Sequence, residues 1–310
     1  MINMKKIYLI ITLVFTTLNG ASPQPVFAQN GMVVSTSSQA SEAGIQIMKK
    51  GGNAVDAAVV TGFALAVTSS SNGNIGGGGF MVVRMADGTT FTLDYREIAP
   101  AAAHRDMYLD DNGDVIENMS LRTRAASGVP GTVDGLLKVW ADHGSGNISR
   151  RELLAPAIAL AEKGFELSHY EASRFNSYKE LFSRNEAAAE VFIRHDKRPW
   201  KDGDKFVQKD LAKTLKRIAR EGRDGFYTGK TADLIVAEMS RGIGLITYGD
   251  LLNYRSKYRE PVMGSFNDFD LLSMGLPSSG GTILVEMLNM LENFPLAELG
   301  WNSSNYIHLL

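Results

Sequence analysis

The chain has 310 residues, 44% of them hydrophobic, and a formal net charge of −2 at pH 7, a length that suits one large or two ordinary domains with a sizeable core. Its near-neutral balance gives no reason to expect nucleic acid as a partner. The absence of cysteine excludes a disulfide framework, a thiolate nucleophile and thiolate metal sites.

"MINMKK" followed by "IYLIITLVFTTL" is a short basic segment and an apolar run too short to span a bilayer comfortably. With "VFA" ending at Ala28, residues 1–28 read as a secretory signal peptide, cleaved after Ala28; the alternative is an uncleaved N-terminal anchor. Export to the periplasm or the exterior is therefore expected. Cleavage removes Lys5 and Lys6 and no acid, taking the net charge from −2 to −4. No later stretch reads as a membrane span, and residues 29–310 show no repeat, low-complexity tract or linker.

"GMVVST" predicts a strand and "SSQASEAGIQIMKKGG" a helix, with Ser37 or Ser38 near the N-cap and Gly51 at the stop. "NAVDAAVVTGFALAVTS" predicts a buried helix capped by Asn53. "FMVVRM" and "TTFTLDY", around an Asp-Gly turn, predict a hairpin. Between helix and hairpin stands "SNGNIGGGGF", Ser71 to Phe80. A phosphate loop needs glycines after a strand and before a helix. Here the order is inverted, so a tight backbone turn beside a packed core or a site is the better reading.

From Arg105 to about Arg259 amphipathic helical segments dominate: "RELLAPAIALAEKGF", "YEASRFNSYKELFSR", "QKDLAKTLKRIAREG" and "KTADLIVAEMSRG". "FDLLSM" returns to strand, and "GLPSSGGTILVEMLNMLENF" predicts a turn feeding a long apolar helix. The fold class expected is α/β with a helical excursion in the middle.

Few residues suggest chemistry. "DYREIAP", at the end of the hairpin's second strand, carries Arg96 and Glu97 side by side. Strand alternation points them to opposite faces, so at most one faces a given cleft. A planar Arg fork there suits bidentate capture of a carboxylate; the plainer reading is a structural ion pair. Ser278 or Ser279 in "PSSGGT" lacks the G-x-S-x-G spacing and reads as a helix cap. "DDNGD" lacks the full calcium-loop spacing and reads as a solvated turn. His104, His143, His169, His195 and His308 form no H-x-x-x-H pair, so they read as surface or capping residues, and no metal or cofactor is expected.

Taken in order, "GGNAVDAAV", "GNIGGGGF", "DYREIAP", "ASGVPGTVDGL", "PAIALAEKGF", "GLITYGDL" and "SMGLPSSGG" resemble the γ-glutamyltransferase (glutathione hydrolase) family of N-terminal-nucleophile hydrolases, from about Gly31 onward. The resemblance implies a four-layer αββα sandwich and a precursor that cuts itself into a large and a small subunit. It also implies a small γ-glutamyl substrate such as glutathione, and a heterodimer partner in the chain's own C-terminal small subunit. The family's nucleophile is that subunit's N-terminal threonine, whose α-amino group serves as base to its own hydroxyl. The arginine that holds the glutamate α-carboxylate maps to Arg96, which becomes the expected substrate ligand. No catalytic residue is expected in this chain, since nucleophile and oxyanion donors would lie beyond Leu310. The resemblance also makes the glycine run a turn into a core strand beside the substrate pocket. "SMGLPSSGG" departs from the family's proline-rich run, and the ending "NYIHLL" reads as a truncation. Two alternatives stand beside this: a relative acting as β-lactam acylase or capsule-polyglutamate transferase, and a non-catalytic secreted binding protein.

Overall fold

The computed structural model describes residues 25–310, and Val33–Leu310 forms one compact unit. The signal-peptide reading falls almost wholly outside the described residues; of its end, Val26 and Phe27 are exposed. Among the described residues no helix is long and apolar enough to cross a membrane.

Helix α1 (Ser38–Lys49) starts where the Ser37 hydroxyl accepts the Ala40 N–H at 3.3 Å, and the chain turns away at Gly51 with φ +91°. Helix α2 (Ala54–Thr68) opens on a reciprocal capping box. Asn53 Oδ1 accepts from the N–H groups of Val55 and Asp56, and Asp56 Oδ2 accepts from that of Asn53. Its Val55, Val59, Val60, Phe63, Ala64 and Val67 are all buried, as a helix apolar on every side must be. It packs against α1, α3 (Thr132–His143) and α4 (Arg150–Lys163), and α4 in turn carries α5 (Lys209–Glu221).

Strands β1 (Phe80–Arg84) and β2 (Thr90–Asp94) form the hairpin, with Val82 opposite Thr92. At its turn Gly88 takes φ +89° and Asp87 Oδ1 accepts the Thr89 N–H. Strand β3 (Lys257–Arg259) pairs antiparallel with the other edge of β2, Thr92 opposite Arg259, giving the order β1-β2-β3. The central β2 buries Thr92, Leu93 and Asp94. A second hairpin, β4 (Val262–Phe266) and β5 (Phe269–Ser273), leads into α6 (Gly280–Leu291). Mixed α and β structure with helices dominating the middle is the coarse fold expected.

Four expectations change. Residues 31–36 form no strand, because β propensity without a ladder partner fixes nothing. The "YEASRFNSYKELFSR" helix breaks at Tyr178 into His169–Ser177 and Lys179–Phe182. Ser279 occupies the N-cap position of α6, but its backbone is already helical (φ −75°, ψ −20°) and its hydroxyl caps nothing. Instead Ser278 Oγ accepts the Gly280 N–H at 3.3 Å. Finally, Arg96 and Glu97 do not diverge: Arg96 Nε lies 3.3 Å from Glu97 Oε2. Strand β2 ends at Asp94, so alternation between faces stops before reaching them.

Candidate substrate-binding site

Arg96 stands just past the end of β2, and its backbone is held on both sides. Its N–H donates to Asp94 Oδ1 at 3.0 Å, and Asp94 Oδ2 receives Arg259 Nε at 2.8 Å. Its carbonyl accepts the Tyr254 hydroxyl at 2.8 Å. The side chain is free by comparison, 59% exposed, paired with Glu97 and lying over the Phe80 ring with 5.8 Å from Cζ to the centroid. Its terminal nitrogens have no hydrogen-bond partner among the described residues. A rigid stem with an open guanidinium fork is what bidentate binding of a carboxylate requires.

The glycines explain how the chain packs around this stem. A Cβ on Gly78 would meet the Tyr95 carbonyl oxygen at 2.5 Å and the Arg96 carbonyl carbon at 2.9 Å. One on Gly79 would strike the Tyr95 ring at 2.9 Å from one side, and one on Gly135 would strike the same side chain at 2.3 Å from another. The run is therefore a close backbone crossing over Tyr95–Glu97. It also serves α3: the Gly77 carbonyl accepts the N–H groups of Gly131 and Thr132, at 2.8 and 3.1 Å, at that helix's uncapped N-terminus.

Behind Arg96 lies a buried polar network that sequence reasoning missed. Asp134, in the first turn of α3, binds Arg223 Nε at 2.7 Å through one oxygen and both the N–H and the hydroxyl of Ser256 at 2.7 Å through the other. Arg223 Nη2 donates to the Tyr254 carbonyl at 2.7 Å, and its guanidinium covers the Tyr227 ring. Tyr227 and Tyr254 stack, 5.8 Å apart and 5° from parallel. Burial pushes both phenols far above their ordinary value; the Asp134 carboxylate adds to the rise at Tyr254, while at Tyr227 the Asp134 N–H donated to the phenol oxygen opposes it, so each remains a hydroxyl donor. "ASGVPGTVDGL" carries Gly131, Asp134 and Gly135, but its facing partners are remote in sequence.

Other candidates fall elsewhere. Neither Ser278 nor Ser279 has a histidine or carboxylate hydrogen-bond partner among the described residues. The Asp110 carboxylate closes the "DDNGD" turn by accepting the N–H groups of Asn112 and Asp114. His143 stacks on Phe91 at 4.1 Å. Among the described residues no group of three or more His, Asp or Glu side chains gathers as a metal site would need. A groove of about 1260 Å³ runs past Asn74, Ile75 and Gly76 toward Trp200, but its lining does not include Arg96.

The model of the gamma-glutamyltranspeptidase family matches residues 40–310. The chain belongs to the gamma-glutamyltranspeptidase family. Within it, the chain is 43% identical over 291 residues to a glutathione hydrolase proenzyme of Pseudomonas sp. strain A14, covering 94% of this chain and 50% of that protein. It is 47% identical over 285 residues to the glutathione hydrolase proenzyme of Pseudomonas aeruginosa, covering 90% and 49%. The chain thus spans about half the length of the curated relatives it matches. The crystal structure of Helicobacter pylori gamma-glutamyltranspeptidase superimposes with a TM-score of 0.89 at 42% identity, over 92% of this chain and 81% of that one. Arg96, the glycine crossing, Asp134 and Tyr254 all lie inside the stretch the family model matches.

Proposed function

We propose that this chain supplies the substrate-carboxylate arginine of a γ-glutamyl hydrolase and transferase acting on small γ-glutamyl compounds such as glutathione. The observation that carries the reading is Arg96, with its backbone fixed on both sides and its fork open to solvent. In the reaction the fork holds the glutamyl α-carboxylate. The hydroxyl of an N-terminal threonine, on a further segment, attacks the γ-amide. The amine leaves with the proton taken from that hydroxyl, and water or an amino acid then takes the glutamyl group from the enzyme.

That further segment is the proposed partner, a small subunit released by self-cleavage, and it completes an αββα sandwich. Two features support this. The chain covers half of each curated proenzyme but 81% of the Helicobacter pylori chain, as one of two processed chains would. In addition, Ile283, Leu284, Met287 and Met290 on α6, with Met263 and Phe269 on the adjacent hairpin, present exposed apolar surface of the kind that marks an interface. Export, with cleavage after Ala28, is part of the same proposal and rests on the pattern of residues 1–28.

The protein expressed from its whole gene is expected to hydrolyse a chromogenic γ-glutamyl anilide. Arg96→Lys keeps the charge and loses the fork, and is expected to raise KM about tenfold, or roughly 1.4 kcal/mol. The unfolding midpoint stays nearly constant, because an exposed ion pair contributes about 0–1 kcal/mol. Turnover of a β-lactam side-chain amide without γ-glutamyl turnover, or an unchanged KM in Arg96→Lys, overturns the reading.

A further inference from the structure

We infer that the segment Tyr254–Arg259 is a positioning element for Arg96, with the Tyr254 hydroxyl as its principal contact. The inference rests on the reading of Arg96 as the carboxylate ligand and names what aims it.

One support of the Arg96 backbone comes directly from this stretch and the other leads back to it. Arg259 holds Asp94, which holds the Arg96 N–H; Tyr254 holds the Arg96 carbonyl directly. Tyr254 is itself immobile. It is 1% exposed, its ring lies flat on that of Tyr227, and its own carbonyl is tied through Arg223 to the buried Asp134. Gly131 stands so close to its hydroxyl that a Cβ there would lie 2.1 Å from it.

The Arg96 side chain, more than half exposed, touches Glu97 and Phe80 and is enclosed by neither. The direction in which it leaves the backbone is therefore set by the two peptide groups beside it. Bidentate capture demands that direction, and small misplacements of a binding group are expensive. A tyrosine retained for stability alone can donate to any buried carbonyl. This one donates to the carbonyl of the residue that reaches the substrate.

The test uses the protein expressed from its whole gene, a chromogenic γ-glutamyl anilide, and measurement of KM, kcat and thermal midpoint for Tyr254→Phe, Arg96→Ala and Tyr108→Phe. Tyr108→Phe is the control, since it too removes a hydroxyl donating to a backbone carbonyl, that of Ala125 and not that of Arg96. Tyr254→Phe is expected to raise KM about tenfold while kcat stays within about twofold, the pattern of lost ground-state binding. Tyr108→Phe is expected to leave KM where it was. An unchanged KM in Tyr254→Phe beside a raised KM in Arg96→Ala overturns the positioning role and spares the parent reading. An unchanged KM in Arg96→Ala, or no turnover by the unaltered protein, removes the parent reading and the inference with it. If Tyr254→Phe fails to accumulate, Arg259→Lys carries the same test by loosening Asp94: a several-fold rise in KM supports the inference and an unchanged KM overturns it.

Discussion

Gly131 faces Tyr254 so closely that a Cβ at position 131 would stand 2.1 Å from the tyrosine hydroxyl oxygen and 2.0 Å from the Tyr95 carbonyl oxygen. Its own φ of −116° is open to any residue, so contact and not backbone conformation demands glycine. Gly131→Ala is expected to cost about 1–3 kcal/mol or more through overpacking and to raise KM by displacing the hydroxyl from Arg96. Urea unfolding and anilide kinetics measure the two effects; a variant of unchanged stability contradicts the geometry.

The four consecutive glycines are not equivalent. A Cβ on Gly76 would meet nothing closer than the Asn74 side-chain oxygen at 3.4 Å, whereas one on Gly78 would press into the backbone of Tyr95, Arg96 and Glu97. Gly76→Ala is expected to lie within about 0.5 kcal/mol of the parent. Gly78→Ala is expected to lose about 1–3 kcal/mol and to bind γ-glutamyl donors more weakly. Equal effects at the two positions, compared by thermal unfolding, would falsify the crossing as the reason for the run.

Asp134 carries Arg223 and Ser256 while being 6% exposed at its side chain. Asp134→Ala strands a largely buried guanidinium and two donors, and is expected to destabilise the protein by about 3–5 kcal/mol. Chemical denaturation decides it, and a loss below about 1 kcal/mol would place the network at the level of a surface pair.

High pH is expected to unfold the protein through its buried tyrosines. Burial raises the phenols of Tyr227 and Tyr254 well above their ordinary 10.0, so above that pH the unfolded chain releases protons that the folded protein retains. Their contribution is complete below pH 10 and fades as pH rises beyond it. The urea midpoint should fall on that side, and the double variant Tyr227→Phe/Tyr254→Phe, weaker at neutral pH, should fall less steeply. A decline of equal slope in the double variant rules out these two groups as its source.

Local signals were legible in the chain and remote ones were not. Asn53 before an alanine-rich run announces α2, and Asp87-Gly88 announces the hairpin, because each device is complete within a few residues. Arg96 was legible as a candidate from its place at a strand end and from the family resemblance. Its supports were not, since Tyr254 and Arg259 come from far along the chain and neither forms a pattern with it. Strand β4 escaped because Gly264 interrupts its apolar pattern, and that glycine answers to a partner elsewhere: a Cβ there would meet Val285 of α6 at 2.8 Å. Residues 31–36 misled in the opposite sense, offering strand composition where no described strand pairs with them.

The Tyr254 bond to the Arg96 carbonyl spans 158 positions of chain, and the Arg259 bond that fixes Asp94 spans 165. Contacts so far apart form late, because the entropy of closing the loop is lost before the contact repays it. A nascent chain that has finished its first hairpin already displays the arginine, with its N–H on Asp94 but neither Tyr254 nor Arg259 in place. On the proposed reading, affinity for a γ-glutamyl carboxylate is then acquired near the end of folding, and a chain stalled before residue 254 would carry Arg96 without its distant supports.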